Sequence, residues 1–190
     1  MKIRLIRHGM TAGNAVRRYV GVTDEPLCPE GREAAEKKPK DPALRRVYVS
    51  PLKRARETAA ILFPNAEQIV VNDLHEMDFG MFEGRSGDEM KNDPAYRAWV
   101  ENRCTGACPG GESQTDFHAR VLKAFAETVR NTCEDATFVV HGGVIMSVLW
   151  QLAEPKKDFY DWIVPNLSGY EADCVERDGA IVLQNVRQLP

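Results

Sequence analysis

A chain of 190 residues, 43% hydrophobic and 28% charged, fits one domain whose core needs neither disulfides nor metals. Its net charge of −3 argues against general nucleic-acid binding, which needs clustered positive charge, and no apolar run approaches the roughly 18 residues of a membrane span. Lys2, Arg4 and Arg7 interrupt the first apolar run, so a secretory signal is not expected and a cytoplasmic location is. The five cysteines, Cys28, Cys104, Cys108, Cys133 and Cys174, read as reduced thiols, because the single Cys-x-x-x-Cys has no second pair to complete a zinc site.

In chain order, Lys2 to Ile6 reads as a strand that ends in Arg7-His8-Gly9. Arg46 to Val49 is a second strand. Pro51 to Phe63 follows as a helix, with Leu52, Ala55, Ala59 and Leu62 at helical spacing, Ser50 as N-cap and Pro51 at its first position. A third strand spans Gln68 to Asn72, and Ser86 to Cys108 is expected to form a small helical cap with Tyr96 and Trp99 packed inward. A long helix is predicted from Ser113 to Thr132, where Phe117, Val121, Ala124, Phe125 and Val129 form a stripe and Ser113-x-x-Asp116 resembles a capping box. Thr137 to Val140 is a fourth strand, and a further helix is expected after Gly142-Gly143. Two runs, Glu171 to Glu176 and Ala180 to Val186, flank an Asp178-Gly179 hairpin signal. Alternating strands and helices imply a largely parallel sheet, which the hairpin closes with an antiparallel edge.

Four places could carry chemistry. Arg7-His8-Gly9 puts a histidine at a strand's carboxyl end, where ligands gather in open α/β sheets. Arg7 suits phosphate oxygens with its planar fork. After the second strand, Arg54 stands in the first turn of its helix and can lean back into the same crevice, where a bound anion would also meet the helix dipole. Pairing with Glu57 is the ordinary alternative, and Lys53 and Arg56 fall to solvent. In Leu74 to Gly84, Glu76 is a candidate general acid, since a bound phosphate dianion favours its protonated form; Asp78 and Glu83 read as loop-folding or surface carboxylates. His75-Glu76 is no metalloprotease motif, because Phe79 stands where the second histidine is required. Finally, Val140-His141-Gly142-Gly143 repeats the pattern of histidine and glycine after a strand, without a dinucleotide or phosphate-loop glycine signature.

In these residues and their order the chain resembles the histidine phosphatase superfamily, also called the phosphoglycerate mutase-like family. The resemblance rests on Arg7-His8-Gly9 with Thr11 and Asn14, Ser50 to Ala55, Glu76 with Gly80 and Glu83-Gly84, and His141-Gly142-Gly143. Tyr19 to Leu27 and Pro109 to Ser113 look most like the branch of α-ribazole phosphatases and broad-specificity bacterial phosphatases. It implies a three-layer α/β/α sandwich over residues 1–190, with a helical cap around 84–110. It further implies a metabolite phosphatase without metal or cofactor that works through a phosphohistidine at His8. Arg7, Arg54 and His141 would hold the transferring oxygens, Glu76 would protonate the leaving group and then activate water, and Asn14 and Gly142 would contact the phosphate more peripherally. Val20 stands where family mutases carry a phosphate-touching serine or threonine.

The expected partner is a small phosphorylated metabolite, with α-ribazole phosphate among the candidates, and neither nucleic acid nor membrane. The alternative is phosphoglycerate mutase-type transfer, which needs water-excluding insertions that this chain lacks. A non-enzymatic alternative is a phosphoryl-ligand sensor or interaction module on the same scaffold. Arg17 and Arg18 either extend a positive mouth that favours a second anionic group or are solvated surface.

Overall fold

The computed structural model describes all residues from Met1 to Pro190. Six strands form one sheet: β1 (Lys2–Arg7), β2 (Arg46–Val49), β3 (Glu67–Val70), β4 (Ala136–Val140), β5 (Gly169–Arg177) and β6 (Ala180–Leu189). Their order is β3-β2-β4-β1-β5-β6. The first four run parallel, while β5 pairs antiparallel with both β1 and β6. Around the sheet lie α1 (Ala12–Ala15), α2 (Pro29–Lys37), α3 (Lys53–Leu62), α4 (Gly87–Met90), α5 (Pro94–Glu101), α6 (Gln114–Arg130) and α7 (Gly142–Leu152). No helix is long and apolar enough to cross a membrane.

The period of two along each strand separates the two faces. Ile3, Leu5, Tyr48, Phe138 and Val140 pack with α6 and α7 in the larger core. Ile6, Val47, Val49 and Val139 pack with Ala55, Ala59 and Leu62 of α3 on the opposite face, where α2 lies against α3. The result is an α/β/α sandwich with an antiparallel edge. The edge turns at Asp178 and Gly179, both at positive φ (52° and 77°), as a two-residue hairpin requires.

Several local expectations need correction. Pro51 is not helical and Ser50 is not an N-cap: α3 starts at Lys53, and its first N–H is received by the Asp24 carboxylate at 2.7 Å, from a distant loop. Ser50 is spent elsewhere, as described below. Helix α7 begins at Gly142 itself, so both glycines lie inside its first turn. The Ser113 cap of α6 is only half a box: Ser113 Oγ accepts the Asp116 N–H but donates to the Asp116 carboxylate, which is therefore not turned to the Ser113 N–H. Strand β3 stops at Val70, and Asn72 opens a 3-10 turn (Asn72–Leu74). Around residues 84–110, α4 and α5 bury Met90 and Trp99 in the larger core.

Candidate active site

His8 and His141 leave neighbouring parallel strands at the same level. The His8 N–H continues the β1–β4 ladder to Val140 O at 3.0 Å, and the two rings face each other with centroids 5.1 Å apart. His8 is only 3% exposed and His141 is fully buried. Nδ1 of His8 lies 2.6 Å from Gly9 O, an acceptor only, so Nδ1 carries the proton and Nε2 keeps a lone pair. That lone pair faces Arg54 Nε at 3.3 Å, and Nδ1 of His141 faces the same nitrogen at the same distance. Burial, then the Arg54 charge, hold both imidazoles well below the ordinary histidine value, in their neutral form.

Arg54 is completely buried and does not pair with Glu57, which instead takes Arg32 at 2.8 Å. Its fork is anchored by main-chain oxygens: Nη1 donates to Thr23 O (2.8 Å) and Nη2 to Gly21 O (2.7 Å) and Val20 O (3.2 Å). The loop carrying those oxygens is shaped by Glu83, which accepts the N–H groups of Phe79, Gly21, Val22 and Thr23 and the Thr23 hydroxyl. Gly21 allows this approach, because a Cβ there would stand 1.8 Å from Met77 O. The first amide of α3 is turned to Asp24 and so is not offered to an anion, contrary to the expectation of a dipole site there.

Arg7 donates through Nη1 to Val164 O at 2.7 Å, while its buried Nε has no hydrogen-bond partner. Its guanidinium lies against the start of α7, 3.5 Å from where a Gly142 Cβ would stand. The Gly142 N–H, first in that helix, has no intrahelical acceptor. A buried and a half-buried guanidinium, two neutral imidazoles and a helix N-terminus thus converge, which suits a tetrahedral dianion.

Glu76 closes the cluster from the β3 side. It is 9% exposed, and its carboxylate accepts Met77 N–H (3.1 Å) and Gly143 N–H (3.0 Å). A Cβ at residue 143 would meet Glu76 Oε1 at 2.3 Å, so glycine is needed for this contact. Asn14 is more remote. Its Oδ1 accepts Thr11 N–H in a reciprocal cap of α1, leaving only its amide nitrogen for a ligand.

Residues outside the expected set complete the frame. Ser50 Oγ lies 2.6 Å from His141 Nε2, Thr58 Oγ1 receives the Gly9 N–H at 2.9 Å, and Asn166 donates to His8 O at 2.9 Å. Arg120 donates to the carbonyls of Asp73 (2.7 Å) and His75 (3.2 Å) and pairs with Glu112 at 2.8 Å, fixing the segment that bears Glu76. Only Ser50 carried a hint in the sequence, through its place after a strand. Beside Glu76 opens a cavity of about 310 Å³ walled by Tyr19, Phe79, Trp99, Phe117, Phe159 and Tyr160. Arg17 and Arg18 do not line it; both are exposed, and Arg18 pairs with Glu89 at 3.2 Å.

Fold and cluster together define an α/β enzyme of the phosphatase type. A profile of the histidine phosphatase superfamily (branch 1) matches residues 3–187, and the chain belongs to that superfamily. Phosphoglycerate mutase-like protein 4 of Arabidopsis thaliana is 34% identical over 165 residues, 81% of this chain and 71% of its own. Phosphoserine phosphatase 1 of Hydrogenobacter thermophilus is 34% identical over 147 residues, 74% of this chain and 69% of its own. The crystal structure of the α-ribazole phosphatase from Shigella flexneri superposes with a TM-score of 0.84 at 25% identity, covering 100% of this chain and 96% of that one.

Proposed function

We propose that the chain is a single-domain phosphomonoester hydrolase that acts through a phosphohistidine on a small phosphorylated metabolite, with α-ribazole phosphate as a candidate. The observation that carries this reading is the state of His8: proton on Nδ1, held by Gly9 O at 2.6 Å, and an unprotonated Nε2 whose lone pair accepts the Arg54 Nε–H at 3.3 Å.

In the first step His8 Nε2 attacks phosphorus and the P–O bond to the alcohol breaks. Protonated Glu76 delivers its proton to the departing oxygen. Arg7, Arg54, His141 and the Gly142 N–H receive the three transferring oxygens, and their buried charges stabilise the transition state without reorganising. In the second step the Glu76 carboxylate takes a proton from water, the oxygen attacks phosphorus, and the P–N bond breaks with its electron pair returning to Nε2. Inorganic phosphate leaves and Glu76 is again protonated. Charge is matched across the cycle, since two guanidiniums face one dianion once Glu76 is neutral.

Mutase-type transfer needs a group near Glu76 that anchors the carboxylate of a phosphoglycerate while the phosphoenzyme waits. The cavity wall there contains no lysine or arginine. The test is phosphate release from α-ribazole phosphate, sugar phosphates and phosphoglycerates by wild type and His8→Ala, with denaturation at alkaline pH, where the P–N bond survives, to trap a phosphohistidine. Release that disappears in His8→Ala is expected. Rapid interconversion of 2- and 3-phosphoglycerate with negligible release would overturn the hydrolase reading.

A further inference from the structure

The cavity beside Glu76 is unusual in what it lacks. Glu76 is its single charged side chain, and its other polar groups are Gln114, the Cys104 thiol and the hydroxyls of Tyr19 and Tyr160. Of the arginines adjoining wall residues, Arg103, beside Cys104, is exposed and does not line the cavity, and two others are held by carboxylates. Arg18, next to Tyr19, turns to Glu89, and Arg120, on the helix that carries Phe117, is held by Glu112 and the carbonyls of Asp73 and His75. A carboxylate or second phosphate entering this space would leave water without meeting a counter-charge, and such burial is unfavourable.

What the walls offer instead is aromatic surface. Tyr19 stands edge-on to Phe79 (centroids 5.0 Å apart) and to Trp99 (5.8 Å), and Phe159 stands edge-on to Tyr160 (5.2 Å). Such rings favour another ring, stacked or edge-on. The volume of about 310 Å³ falls at the small end of the roughly 300–1,000 Å³ of small-molecule sites, enough for one compact ring system. Position completes the assignment: the acid must stand on the leaving-group side of phosphorus, so the cavity that opens at Glu76 takes the alcohol.

We infer that this cavity is a leaving-group site that selects phosphomonoesters of alcohols bearing an uncharged ring system over those bearing a carboxylate or a second phosphate. This inference rests on the hydrolase reading above.

The experiment compares kcat/KM of the full chain for 2-phenylethyl and 2-naphthylethyl phosphate with that for phosphoserine and 3-phosphoglycerate, all esters of primary alcohols. The ring-bearing esters are expected to lead by about a hundredfold, the scale on which apolar pockets discriminate. Two variants sharpen the result. Gln114→Arg, at the first position of α6, should raise kcat/KM for phosphoserine at least tenfold and lower it for the ring-bearing esters. Tyr160→Ala, at a side chain 53% exposed and so safe for folding, should raise KM for the ring-bearing esters about tenfold. Phosphohistidine formed from p-nitrophenyl phosphate and trapped by alkaline denaturation monitors the chemistry separately. If it forms and phosphate is released, but phosphoserine or phosphoglycerate is preferred, the leaving-group assignment fails and the hydrolase reading stands. If no phosphohistidine forms, the hydrolase reading itself fails.

Discussion

Ser50 Oγ sits 2.6 Å from Nε2 of His141 while accepting the Leu52 N–H at 3.3 Å, so one hydroxyl joins the end of β2 to the imidazole after β4. A hydroxyl can donate or accept. In the structure Nδ1 accepts the Arg54 Nε–H, but once a phosphate takes that N–H, a Ser50 hydroxyl that donates to Nε2 leaves the His141 proton on Nδ1. Ser50 thereby lets a neutral imidazole present an N–H to a phosphate oxygen. Ser50→Ala is expected to lower kcat/KM by about ten- to a hundredfold, matching the roughly 1–3 kcal/mol lost when a buried polar group is unpaired. Nitrogen NMR of His141 with bound phosphate should show a shift in tautomer balance. An unchanged spectrum with unchanged kinetics would remove this role.

Arg54→Lys keeps a positive charge but loses the fork that holds Val20 O, Gly21 O and Thr23 O. Activity should fall by at least a thousandfold, and the melting temperature should drop by several degrees, corresponding to about 2 kcal/mol of lost anchoring. Thermal melts and phosphate-release assays read the two effects side by side.

Gly143→Ala sets two effects against each other. In a helix interior alanine is about 1 kcal/mol more favourable than glycine, but here its Cβ would meet Glu76 Oε1 at 2.3 Å. Because residue 143 lies in the first turn and the same Cβ would stand 3.2 Å from the buried Phe117 ring, stability should change little, while kcat/KM for alkyl esters falls about a hundredfold. With p-nitrophenyl phosphate, whose leaving group needs no acid, the loss should stay below about tenfold. Equal losses on both substrates would show that Glu76 is not the acid.

Arg120 touches only the frame, so its effect should be indirect. Arg120→Met releases the carbonyls of Asp73 and His75 and leaves Glu112 unpaired. We expect a lower kcat/KM for alkyl esters, with kcat/KM for p-nitrophenyl phosphate again spared. A uniform loss on both substrate types would mark Arg120 as a support of the fold alone.

Acid should weaken the fold through the two site histidines. Both are held neutral well below the ordinary histidine value, whereas an unfolded histidine titrates near pH ~6.5. Below that pH the unfolded state binds more protons, so stability is present above it and is lost as pH falls, by at most about 1.4 kcal/mol per pH unit for each residue. Urea titrations between about pH 7.5 and 5 should therefore show a steeper decline for wild type than for His8→Asn. Parallel curves would argue against a buried neutral His8.

Much of this was written plainly in the chain. The period of two in Ile3-Leu5 and Val47-Val49 reports faces that are truly opposed, and a histidine and glycine after a buried strand mark the crevice at both His8 and His141. Helix α2 was invisible because its buried positions are Gly31 and Ala35, too small to draw an apolar stripe. Ser50-Pro51 imitated a helix start, yet the cap comes from Asp24, 29 residues away, a pairing no local pattern encodes. The leaving-group wall was hidden for the same reason, since Tyr19, Trp99 and Phe159 meet only through the tertiary fold.

The guanidiniums of Arg7 and Arg54 are held by the carbonyls of Val20, Gly21, Thr23 and Val164, that is, by peptide groups every residue possesses. The anchoring oxygens at positions 20 and 164 therefore need only a buried apolar side chain of fitting size, whereas Thr23 also ties its loop to Glu83 through its hydroxyl. Substrate preference, written in side chains around the aromatic cavity, is free to drift by mutation without disturbing the phosphoryl chemistry. A scaffold arranged in this way can diversify its substrates while inheriting one reaction.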